Sequence, residues 1–554
     1  MTKTSRILLG ILYAYAILAL GTSLLWPMGR DQGVFAWVGD VITKGGAPYV
    51  NAWEQKGPAT QYTYAATQCL FGRTLWGIRA LDAGILVITL AALWTVIRHI
   101  TNATFAHFGV IFFLFQYLDG GYWHTAQPDG WASMLIIIAF ALSLQKSARG
   151  LIPILVGVLL AWAVSYKFLY GAFLLPFAYL IWKAEGETAR GKLTQIALMA
   201  GSFAIATGAT LAWLHSQNAL GEYLNIQWVF NRVNHQSGHA RSLISRGGPL
   251  FCFLLRFGTG LPFLFYGIFT SFQKNEKAIV KAILLSGAIG VLIVLLQNKY
   301  YPYHWLPVYF SMVALTTLGI DNLRKLILER TENHSNNSSA ILEKWVYLAF
   351  TIVILDKSDI ASHRYVADIP FIRSAITTPG LIDKHFSNDF SGDAEFSFST
   401  QYRLAKYIRE KTTRADKVLT WGFDPLINWL SDRDFPARFG MHHPLIADPT
   451  SAICKHYRSE FIREISLNPP LYIIVSDKDN NNLSKDSSKQ LLLNFPEFKA
   501  LFFSHYQMET TLGDFELWRR KKESKPEEAI PRRDETGAAA SPPKEILPSG
   551  NKAD

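Results

Sequence analysis

The chain reads as a polytopic α-helical membrane protein of about eleven spans, with a small C-terminal α/β domain held outside the membrane. Three observations predict this. Half of the 554 residues are apolar and 18% are charged, against roughly 25% charged in a soluble globular protein. Apolar segments of span-like length recur over residues 1–357. The Lys and Arg residues between them alternate from loop to loop, as the positive-inside rule requires. The net charge of +11 therefore speaks to topology, and nucleic acid is not a partner it points to. Cys69, Cys252 and Cys454 are scattered and form neither a CxxC pair nor a disulfide framework.

The first span is Ile7 to Trp26, preceded by Lys3 and Arg6. It is retained rather than cleaved, because Trp26-Pro27-Met28 is no small-residue cleavage site. The first outer loop, residues 27–74, opens with Gly29 to Pro58. There Val34, Phe35, Val38, Val41 and Ile42 recur at helical spacing, Asp31 stands where an N-cap would, and Gly45 and Gly46 end the run. Such a helix is expected to lie on the membrane surface with its apolar face down. Further spans are expected at about Leu75–Ile97, Phe105–Tyr117, Trp131–Leu144, Leu151–Val164, Phe168–Trp182, Leu193–Leu214, Pro249–Phe272, Ala278–Leu296, Trp305–Ile320 and Leu342–Leu355.

With a cytoplasmic N-terminus, the inner loops hold Arg98; Lys146 and Arg149; Lys183, Arg190 and Lys192; Lys274 and Lys277; and Arg324, Lys325 and Arg330. The opposite loop Leu118–Pro128 has no Lys or Arg. Asp31, Glu54, Lys56, Asp129, Lys167, Lys299 and His304 then all fall on the outer side, and a polar cluster at one membrane face is a site hypothesis.

From about Lys357 charged residues increase and strand-like runs alternate with helical ones, which predicts an extracytoplasmic α/β domain over 358–520. Tyr402–Glu410 and Arg458–Ile465 read as helices; Val418–Trp421, Leu471–Val475 and Phe515–Trp518 read as strands. The tail 521–554 lacks large apolar residues and is expected to be disordered. Thr331–Ser339 reads as a low-complexity loop whose Asn337-Ser338-Ser339 sequon would face the cytoplasm and carry no glycan.

Each candidate residue also has a plainer reading. Asp31 could be a helix cap alone. Glu54 and Lys56, in WEQKGP, would point to one side of an extended chain and bind phosphate, or form a solvated surface pair. Asp129 opens a span in QPDG, where it would face the outer surface and bind substrate, or serve as a helix cap alone; His124 and Asp119 in the same loop are less specific. Lys299 and His304, in QNKYYPYHWLP, could bind an anionic headgroup arriving from the lipid, with Lys167 beside them, or belong to an aromatic belt. No GxxxxGK[ST], HExxH or GxSxG motif occurs, so ATP-driven transport and metalloprotease chemistry have no footing.

Taken in order, these features resemble the bacterial dolichyl-phosphate-mannose-protein mannosyltransferase-like family: a span with an acidic residue at its outer end, a surface-helical loop, an acid-x-Lys-Gly-Pro turn, a QPD span start and a KxxPxHxxLP span start. These are integral membrane glycosyltransferases of the GT-C fold, related to the aminoarabinose transferases that modify lipid A. The stretches VLTWGFDPLINWLSDRDFPARF and NPPLYIIVSD look like their extracytoplasmic domain. The resemblance covers most of residues 1–520. It implies inverting transfer of a sugar from a polyprenyl-phosphate donor to a hydroxyl of an envelope glycan, lipid or protein, at the outer face of the bacterial inner membrane. Asp31 would be the general base, Glu54 and Lys56 would position acceptor and donor phosphate, and Lys299 and His304 would meet the lipid phosphate. No metal or cofactor is implied. This chain departs from the family at Gln32, where Glu often follows the Asp, at Gly57, which replaces a Pro, and at Arg30, which precedes the acid.

The rival readings are a polyprenyl-lipid flippase or transporter, which would call for internal repeats and broken helices near the midplane, and a scaffold whose outer domain recruits envelope partners.

Overall fold

A computed structural model describes residues 2–145, 150–237, 243–273, 277–331, 336–357, 380–387, 397–477 and 486–522, with single positions 378, 479 and 484. The membrane part is a helix bundle. Its helices are α1 (Lys3–Ser23), α2 (Arg30–Thr43), α3 (Pro58–Phe71), α4 (Leu75–Ile100), α5 (Ala103–Leu118), α6 (Gly121–His124), α7 (Pro128–Ser143), α8 (Leu151–Tyr166), α9 (Leu174–Lys183), α10 (Ala189–Ser216), α11 (Leu220–Leu224), α12 (Asn231–Ser237), α13 (Leu243–Arg256), α14 (Leu261–Ser271), α15 (Ala278–Gln297), α16 (Leu306–Thr331) and α17 (Asn336–Asp356). Among the described residues five helices are long and apolar enough to cross a membrane, or six if one bent pair is a single span, and four shorter apolar helices accompany them.

Two expected spans differ in the structure. The run Pro249–Phe272 is not straight: the chain bends by 94° between α13 and α14. Gly258 has φ +60°, a left-handed conformation that glycine adopts without strain, and the freed Thr259 amide donates to Asp356 at 3.1 Å. The run Phe168–Trp182 begins as a 3-10 turn, Phe168–Phe173, before α9. The expected loop Thr331–Ser339 is shorter, because α16 ends at Thr331 and α17 begins at Asn336, so the sequon lies in the first turn of a helix. Lys146, Arg149 and Lys274 lie outside the described residues, as do 358–377 and the tail from 523.

The C-terminal part carries a four-stranded sheet of order β1-β2-β4-β3. Its strands are β1 (Val418–Trp421), β2 (Tyr472–Ser476), β3 (Tyr506–Leu512) and β4 (Phe515–Arg520). β1 and β2 run parallel, with Val418 opposite Tyr472; β4 runs antiparallel to both β2 and β3. Every residue of β1 and β2 is buried, as expected for short continuous apolar strands covered on both faces. The helices Phe398–Lys411 and Ala452–Leu467 contain the two expected from sequence. β3 was not expected; its exposed, polar sequence lacks the alternation that marks a half-buried strand.

Helix α2 is set differently from the expected surface helix. It forms where expected, but it does not lie on a membrane surface with one face in water: residues 32–40 are all buried. α3 covers one side and the helix Leu426–Ser431 of the C-terminal domain covers another. A Cβ on Gly33 would approach Leu426 Cβ to 2.7 Å, and Gly440 lies against the Trp37 ring. One continuous core therefore runs from the bundle through α2 into the domain, and a smaller one lies under the sheet around Leu404, Ile474 and Leu517. Arg73 pins the junction: its guanidinium bridges Asp40 of α2 at 2.5 Å and Asp432 of the domain at 2.8 Å.

Candidate active site

At the junction of bundle and domain lies a cavity of about 580 Å³. Five of the six residues singled out as site candidates line it: Asp31, Glu54, Lys56, Lys299 and His304. They come from three separate segments, so the convergence expected at one end of the bundle is observed. The sixth, Asp129, does not line the cavity.

Asp31 projects from the second position of α2. The N-cap is Gly29, whose amide donates to Gln32 Oε1 at 2.8 Å. The cap reading of Asp31 is therefore corrected, and its half-buried carboxylate faces the cavity. The neighbouring departure, Gln32, has a physical reason. Its buried amide nitrogen donates to the carbonyls of Tyr122 (2.8 Å) and Thr125 (2.6 Å), while its oxygen accepts from Arg79 at 2.7 Å. A glutamate could not make those two donations.

Glu54 is buried, and its carboxylate accepts from the backbone amide of Lys56. Burial pushes its pKa from 4.5 up to about 7, partly offset by Lys56 and raised further by Asp31. The turn is held tightly. Tyr49 Oη donates to the Lys56 carbonyl at 2.9 Å, and Gly57 N donates to the Tyr166 carbonyl at 3.2 Å. A Cβ at position 57 would run into the Ser165 carbonyl, so glycine, not proline, suits this turn: proline would also lack the donor.

Asp129 stands one layer behind. It is fully buried at the start of α7 and accepts from Lys167 Nζ at 2.7 Å and Tyr170 Oη at 2.6 Å. Lys167, which sequence reading gave only a supporting place, reaches the cavity and also bonds Gln297 at 2.8 Å. Burial brings its pKa down to about 8 against the pull of Asp129.

Lys299 is presented by an irregular loop in which Asn298 and Tyr300 both have positive φ, 52° and 56°. Left-handed backbone at a residue such as Tyr300 is strained and clusters at functional sites. Burial and the nearby Lys56 lower the pKa of Lys299. His304 is buried, and its Nδ1 has no hydrogen-bond partner among the described residues. The Lys56 ammonium lies 5.8 Å from the centre of the Tyr303 ring, and the Tyr303 phenol interacts with Asp31. Asp119 does not line the cavity; His124 does, neutral, with its pKa brought down to about 4 by burial.

Sequence reading missed the wall supplied by the C-terminal domain. Phe423, His442, His443 and Asp479 line the cavity together with Arg30. It also missed Arg79 and Asp82, buried within α4. Arg79 ties α2 to the loop before α7, and Asp82 accepts from Tyr117 Oη and Trp131 Nε1, each at 2.8 Å. Charged residues inside an apolar run were the available signal. Among the described residues no three His, Cys, Asp or Glu side chains come together as a metal site.

Comparison with known proteins bears on the fold and on part of the sequence. Crystal structures of ArnT from Cupriavidus metallidurans match over nearly the whole chain. The apo form gives a TM-score of 0.59 at 12% identity, covering 92% of this chain and 97% of that one. The form bound to undecaprenyl phosphate gives 0.58 at 14%, covering 93% and 98%. No curated protein matches in sequence. The profile of the dolichyl-phosphate-mannose-protein mannosyltransferase family matches residues 55–213, a stretch that holds Lys56, Asp129 and Lys167 but not Asp31, Lys299 or His304. The chain thus has the ArnT fold, the GT-C-like architecture expected of it, and over residues 55–213 it carries the sequence pattern of the dolichyl-phosphate-mannose-protein mannosyltransferase family.

Proposed function

We propose that the protein is an inverting glycosyltransferase that moves a sugar from a polyprenyl-phosphate donor to a hydroxyl acceptor, with Asp31 as general base. The observation that carries this reading is the single cavity in which the Asp31 carboxylate faces Lys56, Lys299, Lys167 and His304. Among the described residues neither Lys56 nor Lys299 forms an ion pair, so both are available to an anionic ligand. A protein of the same fold has been solved with undecaprenyl phosphate bound, which supports a lipid phosphate as that ligand.

In the reaction Asp31 removes the proton of the acceptor hydroxyl as its oxygen attacks the anomeric carbon. The bond from that carbon to the phosphate oxygen breaks on the opposite face, and the electron pair leaves with the phosphate. General-base assistance is worth about 10² to 10⁴ in rate. Lys56 and Lys299 stabilise the departing phosphate where burial makes each charge count for more than in water. Asp129 acts through Lys167, holding that ammonium in place and charged; it is a positioning residue rather than a binding one. Glu54 fixes the turn that presents Lys56.

The bundle is proposed to cross the bacterial inner membrane about eleven times, N-terminus cytoplasmic, with the cavity and the C-terminal domain outside. The test is incubation of the purified protein in lipid nanodiscs with a panel of undecaprenyl-phosphate sugars, following release of undecaprenyl phosphate. Release with one or more sugars is expected. Movement of labelled donor across vesicles without any release would favour the transport reading.

A further inference from the structure

We propose that the acceptor is a neutral carbohydrate hydroxyl, seated against the wall that Phe423, His442, His443 and Asp479 contribute from the C-terminal domain. The inference rests on the transferase reading and names the acceptor class for it.

The cavity is electrically lopsided. On the bundle side its lysines gather around Lys56. On the domain side, among the described residues, the one cationic side chain in the lining is Arg30, and its Nε faces the buried Asp424 at 3.6 Å. Beyond it, Asp479 accepts from Ser488 Oγ at 2.5 Å and from the Ser488 amide at 2.7 Å, and the same hydroxyl lies 2.7 Å from His442 Nε2. Burial holds both imidazoles, His442 and His443, neutral, with pKa values near 3. A phosphate or carboxylate acceptor entering here would be desolvated beside the Asp424 and Asp479 carboxylates, and among the described lining residues on that side the one cation, Arg30, already faces Asp424.

A polyol meets the opposite situation. His443 Nε2 is buried and has no hydrogen-bond partner among the described residues, and a buried polar atom at a cavity wall calls for a ligand atom. The ring sits in an aromatic frame, with Phe230, Trp53 and Phe423 centred 5.6, 6.2 and 6.4 Å away. Trp53 and Phe230 are buried behind the imidazole and hold it in place; of the three rings Phe423 lines the cavity, and it takes the apolar C–H face of a pyranose while leaving the sugar hydroxyls to the imidazole and to Asp479. The place is right for an acceptor, because the His443 imidazole is close enough to Lys56 and Lys299 to feel both charges, whereas His442 feels Arg30. The wall thus runs from the edge of the phosphate-binding group outward.

The test is saturation-transfer NMR on the full chain in nanodiscs, with methyl glycosides of mannose, glucose and galactose against the corresponding 6-phosphates, with and without undecaprenyl phosphate. Neutral glycosides are expected to bind, the 6-phosphates at least about fivefold more weakly once undecaprenyl phosphate is present. His443→Ala and Asp479→Asn are each expected to weaken the preferred glycoside about five- to tenfold, the size of one or two lost hydrogen bonds. Unchanged affinity for undecaprenyl phosphate in both variants would show that they are folded, and His443→Asn provides a second, smaller polar replacement. Preference for the 6-phosphates, no glycoside bound by the wild type, or wild-type glycoside binding in both variants would each overturn the inference. Failure of undecaprenyl phosphate to bind the wild type would instead count against the donor reading, and the glycoside arm without lipid would still be read.

Discussion

At the scale of single residues, the cavity depends on how two neighbouring carboxylates are held. Asp31 is not needed as a cap, because Gly29 and Gln32 close the end of α2 without it, and this leaves its carboxylate to the proposed role of general base. Asp31→Asn should therefore lower turnover of an undecaprenyl-phosphate sugar by about 10² to 10⁴, with undecaprenyl phosphate affinity within about twofold of wild type; a rate close to wild type would remove the base assignment. Glu54 differs, being buried and tied to the Lys56 amide. Its proton is held up to about pH 7 in the folded chain but released near 4.5 when unfolded. The folded state thus binds the proton more tightly, and the stability this gives is fully present below about pH 4.5 and lost as pH rises through about 7. The melting temperature should fall across that window, and Glu54→Gln should flatten the profile. A wild-type profile as flat as that of Glu54→Gln would show that the group is not held protonated.

At the scale of elements, the 53–58 turn shows both what sequence could reveal and what it could not. WEQKGP announced a turn carrying an acid and a cation, and both line the cavity. What it could not announce is the partner: Gly57 is pressed against the end of α8, a contact between segments more than a hundred residues apart. Gly57→Ala should push the turn off that carbonyl and displace Lys56. A displacement of about 1 Å at a reacting centre can reduce rate about 10²-fold, so the variant should lose turnover and undecaprenyl phosphate affinity together; full activity would show that the contact can relax. The same limit explains the bend at Gly258 and the burial of α2. Periodicity located both helices, but the long-range contacts that decide a bend or cover a second face leave no local pattern. Asp129 was legible as a carboxylate at a helix start and not as the partner of Lys167, because pairing across α7 and α8 is a tertiary fact.

At the scale of the molecule, apolar run lengths and loop charge were enough to expect a helical bundle with an outer α/β part, and β1 was placed to the residue. The joint between the two was not foreseeable, since it is built from side chains scattered over the whole chain. Arg438 is its densest point. Buried in the domain, its guanidinium bonds both oxygens of Glu460 at 2.8 and 2.7 Å, Glu222 of α11 at 3.0 Å and the Tyr49 carbonyl at 2.8 Å. Its own carbonyl accepts from the Trp53 amide at 2.8 Å, one residue before Glu54. The domain therefore supplies a wall of the cavity and also holds the loop that carries Glu54 and Lys56. Arg438→Ala leaves Glu460 and Glu222 without their shared cation, and breaking a buried pair in this way costs about 3 to 5 kcal/mol. If the loss falls on the joint, amide exchange should rise over residues 49–56 while the amides of β1 and β2 keep wild-type protection, and turnover should fall with it. Arg438→Lys should recover little, because a single ammonium cannot span three acceptors in a fixed fork. Uniformly faster exchange in the sheet would mean that Arg438 stabilises the domain alone, and unchanged exchange at 49–56 would mean that the loop is held by the bundle without it.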